Sequence, residues 1–480
     1  MLLSKLTKIN KENDIQIDQL SVDSRIPMHN AIFFCLNGIK YDGHEFIDEA
    51  IANGAKVIVY SKNIEKKGNA LFLKCNNVNN VLNNMANKFY NTANHDIDKF
   101  IICGSYGKAS VATFINYFLN LFSTCGYVGR FGINLNNVHY NSNYETLNVL
   151  ENLEILDVMQ QNNIKSCTFE VNSTPLSLQK INGLVPNYFI YTSTDLDIED
   201  TYYDDYLNHI KNYFNEFKDY TKIIINADDR IYQDLKNADY KLITYGKNST
   251  SDYQIRDVML SRKGINYKIV HKDKIYQVKS SLQGLVNVYN LTATIVALLL
   301  KDYDMETILK VFEELPDVDG VMERVDEQYN IIVDSAYDLD SIENICEYAS
   351  LIKQKNKAIG VISINYTDSD SRIQKIMNIA QKYLDIIILT ENESLEGEVM
   401  DILKRCDKYT TNSRVVHVPY RSLAIENGIE LMNENDVLII IGKGNEKFLS
   451  LGLGKIDYQG DKAYAKKFIN KRRKEENEII

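Results

Sequence analysis

The segment KFIICGSYGKASVATFINYFLNLF reads as a strand, a glycine turn Gly104-Ser105-Tyr106-Gly107-Lys108, and an amphipathic helix. A helix N-terminus preceded by glycines offers free backbone N–H groups to phosphate oxygens, and a lysine at its start reaches the outer phosphates as a point charge. The same residues also suit an ordinary structural turn. The standard phosphate-loop signature, GxxxxGK followed by Ser or Thr, is not met, because its first glycine is missing at that offset and Ala109 follows the lysine. The absent hydroxyl is the one that ordinarily ligates the Mg2+ carried by ATP. Ser110 stands one residue too late, and one residue along a helix is a rotation of about 100°. Asn287 and Asn290 lie at the start of an apolar helix expected over 288–300, where asparagine commonly caps. Seven cysteines are scattered with no CxxC pair, which supports neither a disulfide framework nor a zinc site and points to a reducing compartment.

These residues need a scaffold, and the composition supplies one. Of 480 residues, 45% are hydrophobic and 25% charged, the proportions of a globular chain and not of a disordered one. The net charge of −11 argues against a general nucleic-acid binder, which needs a positive footprint to release counterions. The first residues turn polar too soon for a secretory leader, and no apolar run approaches a membrane span, so the expected location is the cytoplasm. Runs such as AIFFCLNG, KVIVYS, KFIICGS, SCTFEVN, YFIYTS, KIIINAD, YNIIVDSA, KAIGVISI, DIIILT and DVLIIIGKG alternate with helical stretches. Continuous β-branched runs alternating with helices predict an α/β protein built on parallel sheets. At roughly 100–200 residues per domain, the length suggests about three domains, with changes of pattern dividing 1–96, 97–316 and 317–480. The basic and then acidic C-terminal tail predicts a solvated, fraying helix.

The turn GSYGKAS does not stand alone. With VDSR, NGIKYDGHEFIDEAIANGAKVIV, FEVNSTPLSLQKINGL, IIINADD, GLVNVYNLTA, GVMERV, IIVDSAYDLDSIEN and IIGKGNE, in that order, the chain resembles the Mur ligase family, in the type that adds the third residue of the peptidoglycan stem peptide. The resemblance implies an N-terminal domain for the UDP end of the substrate, a central P-loop ATPase domain and a C-terminal Rossmann-like domain. It implies a ligase that phosphorylates a substrate carboxylate with ATP and Mg2+, then joins the acyl phosphate to an amine. Asp23, Ser24 and Arg25, with Asp42 and His44, then match contacts to a UDP-linked muramoyl peptide, and Ser173 and Lys180 follow on the substrate side. Gly104, Ser105, Gly107, Lys108 and Ser110, with Asn287, Asn290 and Asp334, match the nucleotide site. Glu170 matches a Mg2+ ligand, Asp195 aligns with a second, and Lys211 falls where the family carries a carbamylated lysine. Asn392, Lys443 and Glu446 match loops that select the amino acid.

The chain also departs from that pattern. Asp195 replaces a histidine, Val321 an arginine that contacts ATP, Tyr337 a histidine, Thr174 a histidine, and Asn445 a histidine. Asn172 with Ser173 replaces a serine pair. Glu391 to Ser394 replaces an Asp-Asn-Pro-Arg motif, which leaves no arginine for a substrate carboxylate. The resemblance therefore implies either a ligase with a rearranged metal site or a non-catalytic relative that binds a protein partner in cell-envelope synthesis.

Overall fold

A computed structural model of the chain describes residues 1–480 except 10–13, 38–40, 67, 137, 142–145, 175–179, 182, 196–199, 327, 392, 395–398, 412–413, 452–453 and 479–480. It divides into two compact units. The first comprises Met1–Phe100, Leu119–Asn187 and Asn208–Thr221, and the second Ile101–Phe118, Tyr188–Leu207 and Lys222–Ile480.

In the first unit, the strands Gln19–Ser21, Ala31–Phe34, Ala55–Tyr60 and Leu71–Lys74 form a parallel sheet in that order. Phe33, Ile58 and Tyr60 on one face pack with Ile47 and Ala50 from the helical segment that follows the second strand. Further on, Cys125–Gly129 pairs in parallel with Ser166–Asn172 and antiparallel with Gly132–Leu135. The helix Val149–Gln161 joins these two parallel strands and starts at a capping box, in which Asn148 and Glu151 satisfy each other's backbone N–H.

Among the described residues the second unit holds two larger sheets and a small three-stranded one, Glu393–Ser394, Phe448–Leu451 and Gly454–Asp457. In one of the larger sheets, Tyr188–Tyr191, Lys222–Asn226, Leu242–Gly246 and Tyr253–Ser261 run parallel, and Gly264–His271 and Lys274–Ser280 extend it as an antiparallel meander. That meander alternates apolar and polar residues over two strands and tight turns, and it was not among the strand runs read from the sequence. The other larger sheet has the order Glu323–Arg324, Asn330–Asp334, Val437–Ile441, Ala358–Ile364, Ile386–Glu391 and Arg414–His417, with only the first strand antiparallel. VLIII of Val437–Ile441 is buried throughout, as expected for a strand covered by helices on both faces.

Two expectations need correction. The C-terminal tail is a docked helix, Asp461–Glu478, and not a fraying one. Ala465, Phe468 and Ile469 enter the core of the second sheet, Arg472 donates to the carbonyls of Ile429 and Met432 at 2.7 and 2.9 Å, and Arg473 pairs with Asp326 at 2.9 Å. The apolar helix also begins earlier than expected, spanning Gly284–Leu300, so Asn287 and Asn290 lie inside it and neither caps it. No helix among the described residues is long and apolar enough to cross a membrane.

Candidate functional site

The phosphate-type turn lies between the strand Asp98–Gly104 and the helix Lys108–Phe122. Gly104 and Gly107 have φ of +151° and +82°. A Cβ at Gly104 would lie 2.0 Å from Thr192 Oγ1, and one at Gly107 would lie 2.4 Å from Asn290 Oδ1. Only glycine satisfies both the dihedral and the space there. The turn is pinned to the residues that follow the neighbouring strand. Ser105 N–H donates to Ser193 O at 2.9 Å, and Tyr106 N–H donates to Ser193 Oγ at 2.9 Å. Tyr106 O accepts the hydroxyls of Thr192 and Ser193 at 2.6 and 2.9 Å. Lys108 Nζ folds back to Ser105 O at 3.2 Å, which holds the ammonium over the turn. Ser110 is buried, and its hydroxyl has no hydrogen-bond partner among the described residues.

Beside this turn, within the same unit, lies a cavity of about 230 Å³ whose lining includes Tyr106, Asn290, Asp228, Asp229, Tyr289 and Asp340. Asn290 is fixed by its amide donating to Asn287 Oδ1 at 3.1 Å, and Asn287 in turn donates to Gln283 O at 2.8 Å. Asp229 accepts from Thr194 N–H at 2.7 Å and from Thr194 Oγ1 at 2.6 Å, and also from Ile231 N–H at 3.0 Å. Burial pushes the Asp229 carboxyl up, although these hydrogen bonds oppose the shift. Asp228 and Asp229 stand in IIINADD and Asp340 in the motif after Asp334. None of the three carboxylates was assigned from the sequence; the available signal was that Asp228 and Asp229 follow the strand Lys222–Asn226, while Asp340 stands in the first turn of the helix Leu339–Lys353.

Asp334 ends the strand Asn330–Asp334 and is buried, with Oδ2 accepting Met322 N–H at 2.7 Å and Oδ1 accepting Ala336 N–H at 2.6 Å. It braces Met322, whose φ is +45°. Arg324, the arginine nearest to Val321, donates to Arg262 O at 3.0 Å. Lys443 is 1% exposed and pairs with Glu446 at 2.8 Å. Their loop is anchored by an ion pair that the sequence did not single out. Arg421 meets Asp461 through two hydrogen bonds of 2.6 and 2.7 Å, both side chains fully buried, and Asp461 also accepts Gly444 N–H at 3.1 Å. Asp195 is half-buried just before 196–199, and Asn392 lies outside the described residues.

The first unit carries the other candidates. Glu170, in the strand Ser166–Asn172, is 2% exposed, and its Oε1 accepts the Tyr127 hydroxyl. A Cβ at Gly129 would lie 2.4 Å from the same oxygen, so that glycine gives the carboxylate its room. Burial and the neighbouring Glu170 push the Tyr127 phenol well up, which keeps it a hydrogen-bond donor. Lys180 Nζ donates to Thr146 O at 3.1 Å, while Thr146 Oγ1 accepts Asn172 N–H at 3.1 Å, next to Ser173. Lys211 is half-buried on the helix Asp200–Phe217. Ser24 is buried and donates to Glu49, whereas Arg25 is exposed and folds onto Asp23 at 2.6 Å. His44 Nε2 accepts the N–H groups of Ser61 and Lys62 at 3.1 and 3.3 Å, so its proton sits on Nδ1, 2.6 Å from Asp42 Oδ1. The pair ties the 42–46 turn to the end of the strand Ala55–Tyr60, beside a cavity of about 160 Å³ lined by Cys35, Asn37, Ser61 and Asn77.

Two family models match the chain: the catalytic domain of the Mur ligase family over residues 16–90 and the Mur ligase middle domain over residues 102–298. The chain belongs to the Mur ligase family. The UDP-N-acetylmuramoyl-L-alanyl-D-glutamate--2,6-diaminopimelate ligase of Clostridioides difficile is 28% identical over 480 residues, covering 97% of this chain and 98% of that protein. A solved structure of a ligase with the same name superimposes with a TM-score of 0.72 at 19% identity, over 98% of this chain and 99% of that one. MurF ligase from Thermotoga maritima, solved in complex with ADP, matches with a TM-score of 0.64 at 14% identity, over 95% and 98%. These likenesses establish a Mur ligase fold.

For a Mur ligase, the residues can be tested against the implied Mg2+. Among the described residues no three His, Cys, Asp or Glu side chains gather as a metal cage. Glu170 nonetheless suits the ion, being a fixed, buried carboxylate beside a side-chain-free glycine. Mg2+ usually binds one or two carboxylates and takes its remaining ligands from water and phosphate.

Proposed function

We propose that this Mur ligase is an ATP-dependent enzyme that joins an amino acid to a UDP-N-acetylmuramoyl peptide in cytoplasmic peptidoglycan synthesis. Its relatives carry that activity in their names, and we read the chain as three domains with boundaries near 96 and 316. The observation that carries the reading is the turn at Gly104 to Lys108: two positive-φ glycines, a backbone pinned at four points and a lysine over the loop. Such a turn leaves helix-terminal N–H groups for phosphate oxygens, and Asn287 and Asn290 stand behind it.

In the reaction, a carboxylate oxygen of the muramoyl peptide attacks the γ-phosphorus of ATP, and ADP leaves. The amine then attacks the acyl carbon, loses a proton, and phosphate departs with the bond pair. Lys108 and the loop N–H groups offset charge on the phosphoryl oxygens, and catalysis is mainly positioning and electrostatics. Glu170 would hold Mg2+, with Asp195 and a carbamylated Lys211 as further candidates, and the ion would neutralise phosphate charge. The UDP end would meet Ser24, Arg25, Asp42 and His44, with Ser173 and Lys180 nearer the peptide. Since Ser24, Asp42 and His44 already hold protein partners, their share in binding is partly to shape the turn. Asn392, Lys443 and Glu446 would face the amino acid.

The test is ADP release by purified protein given Mg-ATP, a UDP-muramoyl dipeptide and a panel of amino acids. The expected result is release that depends on one amino acid and falls at least about a hundredfold in Lys108→Ala and in Glu170→Ala. Equal release with and without the dipeptide would sink the ligase reading.

A further inference from the structure

Tyr106 occupies the turn position before Gly107, where a phosphate loop works through its backbone. Here the side chain faces the 230 Å³ cavity. The backbone on either side is fixed by three hydrogen bonds to Thr192 and Ser193, so the Cα–Cβ direction into the cavity is set. The other two tyrosines of the lining have their hydroxyls engaged: Tyr245 donates to Tyr191 O at 3.3 Å, and Tyr289 donates to Asp228 Oδ2 at 2.8 Å. Tyr106 presents a ring whose hydroxyl has no hydrogen-bond partner among the described residues. Burial pushes that phenol up, with nearby carboxylates adding to the effect, so it stays a donor.

The sign of the cavity says what can sit in it. Among the described lining residues, Asp228, Asp229 and Asp340 stand against one cation, Arg230, whose guanidinium lies 3.8 Å from the Tyr203 ring centroid. Three carboxylates repel a polyphosphate and favour groups rich in N–H and O–H donors. Phosphate therefore belongs at the Lys108 side of the turn, and the sugar and base belong in the acid-lined cavity. An aromatic platform with a polar tip suits a heteroaromatic base, whose flat face stacks on any ring.

We propose that Tyr106 is a nucleotide-specificity residue, its ring packing against the base or ribose of ATP and its hydroxyl bonding to it. The inference rests on the proposed ATP site. It adds that this loop reads the nucleoside as well as the phosphates.

The experiment is calorimetric titration of the full chain with Mg-ATP and, separately, with magnesium tripolyphosphate, for the parent, Tyr106→Ala, Tyr106→Phe, Tyr106→Asn and Lys108→Ala. The expected result is that Tyr106→Ala and Tyr106→Asn weaken ATP by about tenfold or more and leave tripolyphosphate unchanged. Tyr106→Phe should keep most of the affinity, and Lys108→Ala should weaken both ligands. Using both Ala and Asn guards against a single variant that fails to fold. Equal weakening of both ligands by the Tyr106 variants overturns the proposal, because the side chain would then only shape the loop. So does unchanged or tighter ATP binding beside a Lys108→Ala that still loses it, which leaves the ATP site standing. A parent that binds neither ligand overturns the nucleotide site itself and the proposal with it.

Discussion

At the scale of single residues, the turn from Gly104 to Lys108 depends on what is absent as much as on what is present. Gly107 combines a φ of +82° with an approach to Asn290 Oδ1 that no side chain tolerates. An alanine there takes on left-handed strain of about 1–2 kcal/mol and displaces the asparagine. Gly107→Ala is therefore expected to lower the urea midpoint and to abolish the rise in thermal midpoint that Mg-ATP gives the parent. A retained ATP shift would mean that the loop does not hold phosphate.

Asp42 shows the opposite economy, since its neighbours decide its charge. Burial opposes ionisation, but the hydrogen bonds from Lys62 and His44 outweigh it and hold the carboxyl well below the ordinary carboxylate range. A carboxyl with its folded pKa depressed binds fewer protons in the native state than the unfolded one. Its contribution is therefore present above the unfolded value of about 3.9 and fades as pH falls through the folded value. Asp42→Asn should then destabilise the protein by a constant amount from pH 5 to 7, with the difference from the parent shrinking below about pH 4. A urea-unfolding series across pH measures this, and a difference that persists undiminished at pH 3 would contradict the pairing.

Among the elements, the sequence was informative where a single pattern decided the outcome. Runs such as VLIII and AIGVISI were legible as buried parallel strands because β-branched residues on both faces leave few alternatives. The Tyr253–Ser280 meander was missed because its alternation is diluted by charges on the open face, as in YQIRDVMLSRKG. The tail was misjudged for a related reason. Its composition is dominated by Lys, Arg and Glu, and the short stripe Ala465, Phe468, Ile469, at i, i+3 and i+4, is the only sign that one face is buried. Ile469 sits fully in the core beneath the strand Val437–Ile441 side of the sheet. Ile469→Ala should cost about 2–5 kcal/mol, read as a lower urea midpoint with an unchanged slope, whereas a fraying helix would register almost nothing.

At the scale of the molecule, the motifs and their order carried the family, because no single loop could. The site was legible only in part. Lys108, Asn290 and Glu170 were read from motifs, while Tyr127, which donates to Glu170, and the Arg421–Asp461 pair, which anchors the Lys443 loop, had no motif to announce them. What remains to be weighed is the loss of two groups that the family resemblance sets next to phosphate. Ala109 offers no hydroxyl, and Val321 no guanidinium. Arg324 cannot stand in for the second, because it is committed to Arg262 O. Removing one such stabiliser elsewhere costs about 2.7–4 kcal/mol of transition-state energy, so an active site that merely decayed should respond to their return. Ala109→Thr together with Val321→Arg is expected to raise kcat/KM for ADP formation by about tenfold or more at fixed Mg2+. The two substitutions should act more than additively if both meet the same transferring phosphoryl group. A double variant no faster than the parent would show instead that the chain rebuilt its phosphate site around other residues, with Ser110 as the first to substitute: its buried hydroxyl has no partner among the described residues, and Ser110→Ala would then reduce turnover while leaving the thermal midpoint in place.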